Sequence, residues 1–271
     1  MTPAQDLQEL MLDLSDEEGK DRRFVTALAR GLDVLRCFRP GDASLSNLEI
    51  ARRTGLPKPT ISRLTYTLTS LGYLIHSEEH GTYKLGTGVL SLGYAMLSGL
   101  DIRERARPLM QELADDVDAT IALGGRDRMD IVYLEACRGP GAVTLRIDVG
   151  ARLPIASTSI GRALLAVLPE AERDFLLTHL KKRESKAEYE RLKSGIERSI
   201  AEIRERGFCT SIGEWRRDVN AAGVPIATFD RNVYAINCGG PAFKISREDL
   251  ESRLGPKLVA LANKLSVAKL V

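Results

Sequence analysis

Residues 45–83 read LSNLEIARRTGLPKPTISRLTYTLTSLGYLIHSEEHGTY. Ser46-Asn47-Leu48-Glu49 opens the stretch as a capping-box signature, with the Ser hydroxyl and the Glu carboxylate spaced to satisfy the first free amides of a helix. That helix is expected to run to about Thr54. Gly55 supplies backbone freedom for a turn. Pro57 and Pro59 pre-set the start of a second helix, where a missing N–H costs little. The second helix is expected over about Lys58 to Leu71, with Ile61, Leu64, Leu68 and Leu71 on one side and Pro59, Ser62, Arg63, Tyr66 and Ser70 on the other. Tyr73 to His76 and Thr82 to Leu85 then read as two short strands around His80-Gly81. Helix, turn, helix and wing, in that order, suit the placing of one helix in a DNA major groove.

The outward face of the second helix sharpens this reading. An ordinary amphipathic surface helix carries Glu and Lys outward, yet no acid occurs between Lys58 and Leu71. A face of Ser, Thr, Tyr and Arg suits base-edge and phosphate contacts. Ser62, Arg63 and Tyr66 are the candidate readers, with Lys58 and Thr60 near the phosphates. Lys84 on the wing, like His80, is a candidate backbone contact or a plain solvated side chain. The competing reading of the helix is a small-domain surface that happens to lack acids.

Charge is distributed to match. The net charge is only +2. Residues 1–19 hold six acids and no Lys or Arg, whereas residues 20–86 hold eleven Lys/Arg against six Asp/Glu. A local basic surplus draws phosphate. The chain's 271 residues suggest two domains, at roughly 150 residues each. Its 44% apolar and 28% charged residues are ordinary for a globular protein. No run of 18 apolar residues occurs, and the N-terminus lacks a basic-then-apolar leader, so the expectation is a cytoplasmic protein with no membrane partner. Cys37, Cys137, Cys209 and Cys238 are widely spaced and form no CxxC pair, which leaves buried reduced thiols or a redox switch and no metal site.

Outward from the opening stretch, residues 1–22 are expected to be an acidic flexible tail, in which Asp6 to Leu14 could form a short helix. Phe24 to Phe38 has helical spacing through Val25, Leu28, Leu32, Leu35 and Phe38. The winged helix-turn-helix domain is expected over 23–86 and a linker helix over 87–100. The linker's apolar stripe suits a partner chain, since operators are usually read by symmetric dimers; packing within the chain is the other reading. The remainder, 101–271, is expected as one domain. Asp101 caps a helix running to about Val117. Thr120 to Leu123, Ile131 to Ala136 and Val143 to Val149 read as strands. Helices follow over about Ser159 to Leu168, Pro169 to Leu177 and Lys186 to Arg206. Phe208 to Ile212, Val224 to Phe229 and Val233 to Asn237 are strands again, the last two joined by a tight Asp230-Arg231-Asn232 turn. A final helix spans about Arg247 to Leu265. Strands joined by hairpins with helices at the ends indicate an α+β domain with an antiparallel sheet.

Several motifs in this order closely resemble the IclR family of bacterial transcriptional regulators. They are ALARGLDVLRCF (27–38), LEIARRTGLPKPTISRLTYTLTSLGYL (48–74), YKLGTGVLSLG (83–93), DIRERARPLMQELA (101–114), ARLPIASTSIGRALLA (151–166), EIRERGF (202–208) and GGPAFKIS (239–246). The resemblance implies an N-terminal winged helix-turn-helix and a GAF/PAS-like effector-binding domain. It implies a homodimer or dimer of dimers on a palindromic double-stranded DNA operator, repressing or activating a catabolic operon in response to a small organic, often aromatic, acid.

It also implies a pocket. The family motif LP-x-A-x-x-x-G-[KR]-A falls on Leu153, Pro154, Ala156, Ser159, Ile160, Gly161 and Arg162. Exposed amides at a helix start attract a carboxylate, and Ser159 adds a hydroxyl; a helix cap that merely packs the sheet is the alternative. A second wall falls on 211–226, with Trp215 beside Arg216 and Arg217, and with Val219 and Ala221 at pocket-side positions. An aromatic beside guanidinium groups can hold a planar acid, or it can cover a surface. The third wall is Asn237, Cys238 and Gly239, where Asn237 and Gly239 depart from the small hydroxyl residues common in relatives. Leu145 completes the effector-binding set. Effector binding would shift the DNA-reading helices by its differential affinity for two arrangements, typically about 1–3 kcal/mol. Two other readings remain: an effector-independent architectural DNA binder, and an enzyme with a regulatory DNA-binding domain. Against the enzyme, no GxSxG, GxxxxGK[ST] or GxGxxG motif occurs, and no cofactor is expected.

Overall fold

The computed structural model describes residues 23–141, 147–228 and 232–266. They fall into two compact units, dividing between Gly99 and Leu100.

The first unit contains α1 (Thr26–Arg36), β1 (Leu45–Ser46), α2 (Asn47–Thr54), α3 (Lys58–Ser70), β2 (Leu74–Ser77), β3 (Thr82–Leu85) and α4 (Thr87–Ser98). The capping box forms as the spacing predicts. The Glu49 amide donates to Ser46 Oγ, and the Glu49 carboxylate accepts from the Ser46 amide at 2.8 Å. Gly55 ends α2 at φ 70°, a conformation that costs glycine nothing. Pro57 is the N-cap of α3. The hairpin β2–β3 is the wing. β1, which the sequence reading missed, pairs with β3 through Leu45↔Tyr83 and Ser46↔Thr82. Val34, Cys37, Leu45, Ile50, Ile61, Leu68 and Leu74 make the core.

Two expectations about apolar faces are corrected. On α3 the buried set is Ile61, Thr65 and Leu68, while Leu71 is 64% exposed. Thr65 can enter the core because its hydroxyl donates to the Ile61 carbonyl at 3.0 Å. Leu71 is the C-cap, past the last turn that packs. On α1, Val25, Leu28 and Leu32 stand exposed, and Val34 takes the core position. The stripe read over Phe24 to Phe38 is therefore mostly a surface of this unit. Helix α4 buries no residue; Leu90, Leu92, Tyr94 and Met96 are all exposed.

The second unit is built on one six-stranded antiparallel sheet. Its strands are β4 (Thr120–Asp127), β5 (Asp130–Arg138), β6 (Arg152–Pro154), β7 (Cys209–Ile212), β8 (Val219–Ala227) and β9 (Val233–Pro241), in the order β6-β5-β4-β9-β8-β7. Helices α6 (Ser159–Val167), α7 (Glu170–Arg183) and α8 (Lys186–Arg206) share one core with Ala122, Ile131, Tyr133, Cys209 and Ala235. By strand alternation Ile121, Leu123, Val224 and Ile236 point to the other face, where α5 (Asp101–Val117) and the terminal helix pack. Glu135, buried on β5, takes Arg103 and Arg107 of α5, each at 2.9 Å.

The differences from expectation have local causes. Asp101 does not cap α5: Leu100 is the N-cap, and Asp101 lies in the first turn, where a carboxylate suits the helix dipole. No strand covers Ile147 to Gly150, which form a loop and turn; Val143 to Arg146 lie outside the described residues, as do Leu145, the acidic tail, and Asp230 and Arg231 of the expected turn. β6 forms instead, over part of the pocket motif. β8 starts five residues before the expected Val224, because pairing on both sides carries the weakly strand-forming Val219–Gly223 into the sheet. The terminal helix is α9 (Arg247–Asp249), a π turn over Leu250–Leu254, and α10 (Gly255–Leu265). All four cysteines are buried and free. Burial pushes Cys37, Cys209 and Cys238 up to about 12, so thiolate is scarce near neutrality. Among the described residues no helix is long and apolar enough to cross a membrane.

Candidate DNA-reading surface and effector site

Helix α3 presents Lys58, Ser62, Arg63 and Tyr66 to solvent, Tyr66 being 75% exposed. Thr60 is half-buried. Among the described residues neither Lys58 nor Arg63 forms an ion pair. Two other exposed hydroxyls on the helix bond its own backbone: Thr67 donates to the Arg63 carbonyl and Ser70 to the Tyr66 carbonyl, each at 3.0 Å. Asn47, the first residue of α2, spans the turn; its amide nitrogen donates to Ser62 Oγ and its carbonyl accepts from Thr65 Oγ1, both at 3.4 Å. It thus braces α3 against α2, a role with no signal in the one-dimensional pattern.

The other basic side chains nearby divide into two kinds. Arg53 is taken by the fold: it pairs with Asp42 and donates to the Cys37 carbonyl at 3.0 Å. The Arg53 guanidinium holds the Asp42 carboxyl down to about 2. Lys84 is exposed on β3. At the wing tip His80 bonds Ser77 Oγ at 3.2 Å and lies 3.8 Å from the Glu79 carboxylate. A neighbouring acid makes His80 a poorer phosphate contact than Lys84.

In the second unit the cap of α6 is Thr158, not Ser159. Thr158 Oγ1 accepts from the Gly161 amide at 3.2 Å and donates to the Pro154 carbonyl at 2.7 Å. Ser159 is the first helical residue; its Oγ is buried and, among the described residues, has no hydrogen-bond partner. Its carbonyl lies where a Cβ on Gly223 would stand, 2.4 Å away. The helix start therefore sits directly on the sheet, and any side chain at 223 would lift it.

Sheet register shows which expected residues meet. Asn237 pairs with Gly223 and Ala122, and Gly239 with Ala221. Partners across a ladder share a face, so Asn237, Gly239, Ala221 and Val219 all lie on the α6 side. Leu153 and Ile160 are buried in the core of that face, and half-buried Trp215 packs against it. Gly161 is buried in the first turn of α6. Leu153, Ser159, Ile160, Gly161, Trp215, Val219, Asn237 and Gly239 thus share one side of one sheet, although 86 residues separate Leu153 from Gly239 in the chain. Leu145 lies outside the described residues.

Two groups escaped the sequence reading. Tyr133 is buried on β5, and its hydroxyl meets the Asn237 amide, 3.3 Å from Oδ1 and 3.2 Å from Nδ2. Burial pushes the phenol up to about 12, so it stays protonated near neutrality. The alternation Ile131-Tyr133 facing one side was the available signal. Glu214, adjacent to Trp215, accepts from Arg162 Nη2 at 2.7 Å and from Arg198 Nη2 at 2.5 Å. Burial raises its carboxyl, but the two guanidinium groups prevail and hold it below the usual range. Arg216, exposed, lies 5.6 Å from the Trp215 ring centre.

A family model described as Bacterial transcriptional regulator IclR C-terminal matches residues 94–267, and one described as IclR helix-turn-helix domain matches residues 27–76. The chain belongs to the IclR family. It is a transcriptional regulator with a helix-turn-helix DNA-binding domain, and its α+β architecture is that of IclR-family neighbours. The HTH-type transcriptional regulator TsaQ1/TsaQ2 of Comamonas testosteroni is 33% identical over 238 residues, 87% of this chain and 85% of the relative. The Pca regulon regulatory protein of Pseudomonas putida is 30% identical over 249 residues, 90% of this chain and 84% of the relative. The crystal structure of an IclR family transcriptional regulator from Brucella abortus is 50% identical, with a TM-score of 0.85, covering 91% of this chain and 93% of that one.

Proposed function

We propose that this IclR-family protein is a ligand-responsive regulator of a catabolic operon that acts by binding, not catalysis. α3 reads a palindromic operator: Ser62, Arg63 and Tyr66 face the bases, and Lys58, Thr60 and, on the wing, Lys84 hold the phosphates. The observation that carries this reading is the acid-free outer face of α3, with Arg63 and Lys58 exposed and, among the described residues, in no ion pair. The apolar surface of α4, which buries nothing within its own unit, supports a homodimer.

The effector is a small organic acid held beside the start of α6, on the α6 side of the sheet. Thr158 occupies the Gly161 amide, which leaves for a carboxylate the Ser159 and Ile160 amides and the Ser159 hydroxyl, which has no partner among the described residues. Leu153, Gly161, Val219, Trp215, Asn237 and Gly239 form the remaining walls. The Pseudomonas putida relative is named a Pca regulon regulatory protein, which supports control of a set of genes.

Replacing Arg63 with Ala tests the carrying observation. In gel-shift titrations with the DNA flanking the gene, affinity should fall about tenfold or more, the cost of one good base contact. Unaltered affinity in a folded variant removes Arg63 from the reader.

A further inference from the structure

Arg162, the fourth residue of α6, has a fully buried side chain. Its Nε donates to the Ala156 carbonyl at 2.8 Å, which fixes the plane of the guanidinium. Nη2 reaches Glu214 Oε2 at 2.7 Å. On its other side is Gly195 of α8, where a Cβ would stand 2.3 Å from Nη2. Only glycine leaves room for the group. Glu214 lies in the 213–218 loop between β7 and β8, one residue before Trp215, and its second oxygen is held by Arg198 of α8. One carboxylate thus joins α6, α8 and the loop.

A buried guanidinium without its carboxylate is strongly unfavourable, so the loop cannot leave α6 without stranding a charge. Trp215's own core contacts are partial, since the ring is only half-buried. We propose that Arg162 and Glu214 are positioning residues: the pair clamps the Trp215 loop onto the start of α6 and so holds two walls of the effector site at a set separation. Arg162 is then a clamp, not a lining residue as the family motif suggests. The role in effector recognition rests on the proposed function above; the clamp itself does not, and its test needs no effector.

Trp215 is the sole tryptophan, so the emission of the full-length protein reports this loop alone. Glu214→Ala should shift that emission to the red and raise acrylamide quenching about twofold, as for a ring released into a locally open loop. Should Glu214→Ala fail to fold, Arg162→Met/Glu214→Ala, which leaves no unpaired buried charge, carries the same expectation. Arg198→Met, which removes a half-exposed partner, should give a smaller shift. Leu258→Ala in α10 serves as the control, because it opens a cavity on the other face of the sheet and should leave the emission unchanged. Wild-type emission and quenching in folded Glu214→Ala or in the double variant overturns the clamp, as does an equal shift in Leu258→Ala. If the clamp holds and no organic acid alters DNA binding, the effector reading alone fails.

Discussion

The two helices that matter most here, α3 and α6, begin alike and end up differently. Each starts in a Pro/Ser/Thr-rich segment without acids in its first turn. On α3 the side chains Ser62, Arg63 and Tyr66 stay in solvent, and only three residues of the helix are buried. On α6 the first seven residues, Ser159 to Leu165, are all buried, including a hydroxyl and a guanidinium. The first helix can be read by something that stays outside the fold. The second can act only on a molecule that enters it. Substitutions should therefore separate: changes on α3 alter DNA affinity and spare stability, while changes on α6 do the reverse.

The largest effect should come from Ile160→Ala. Ile160 is fully buried over the sheet, and deleting its side chain leaves a cavity that should cost about 2–5 kcal/mol. Denaturant unfolding measures this, and the folded fraction should keep wild-type operator affinity, in contrast to Arg63→Ala. A stable Ile160→Ala would show that α6 is not packed as tightly as its burial indicates.

A middle-sized effect tests the frame that holds α3. Ser46→Ala removes the cap of α2 and should cost about 1 kcal/mol, read as a lower melting temperature of the first unit. Because Asn47 follows directly and braces Ser62 and Thr65, operator affinity should also fall slightly. Lost stability with unchanged affinity would separate capping from reading.

The smallest effect is one of pH. Asp42 is depressed from its ordinary 3.8 to about 2 by Arg53. A depressed carboxyl stabilises the fold above its ordinary value and loses that contribution as pH falls toward its folded value. Melting of the first unit should thus be insensitive to this pair near neutrality and weaken between about pH 4 and 2. Asp42→Asn should flatten that part of the profile; an unaltered slope would assign the acid sensitivity to other carboxylates.

The first unit was largely legible because its signals are local. A capping box, a Gly-Leu-Pro turn and an acid-free helix face act within a few residues of one another, and the comparisons agree with the fold they imply. Where that reading slipped, as with Leu71 for Thr65, the cause was a side chain able to satisfy its own hydroxyl within the helix. In the second unit, alternation of β-branched residues marked Thr120–Leu123, Ile131–Ala136 and Val233–Asn237 as strands but also Ile147–Val149, which is loop and turn, and strands were missed at Arg152–Pro154 and Val219–Gly223, where pairing partners make the strand.

Sequence by itself determined that a helix-turn-helix with a wing would form, and that the outer face of its second helix would carry Lys58 and Arg63 and no acid. These follow from spacing, capping and side-chain chemistry, which act between near neighbours. Only the tertiary structure decided that Thr158 caps α6, that Tyr133 meets Asn237 across 104 residues, and that Arg162 grips Glu214 across 52. Such contacts depend on strand register and on one helix settling over Gly223 and Gly195, and no local pattern encodes which distant partner will be there when the chain closes.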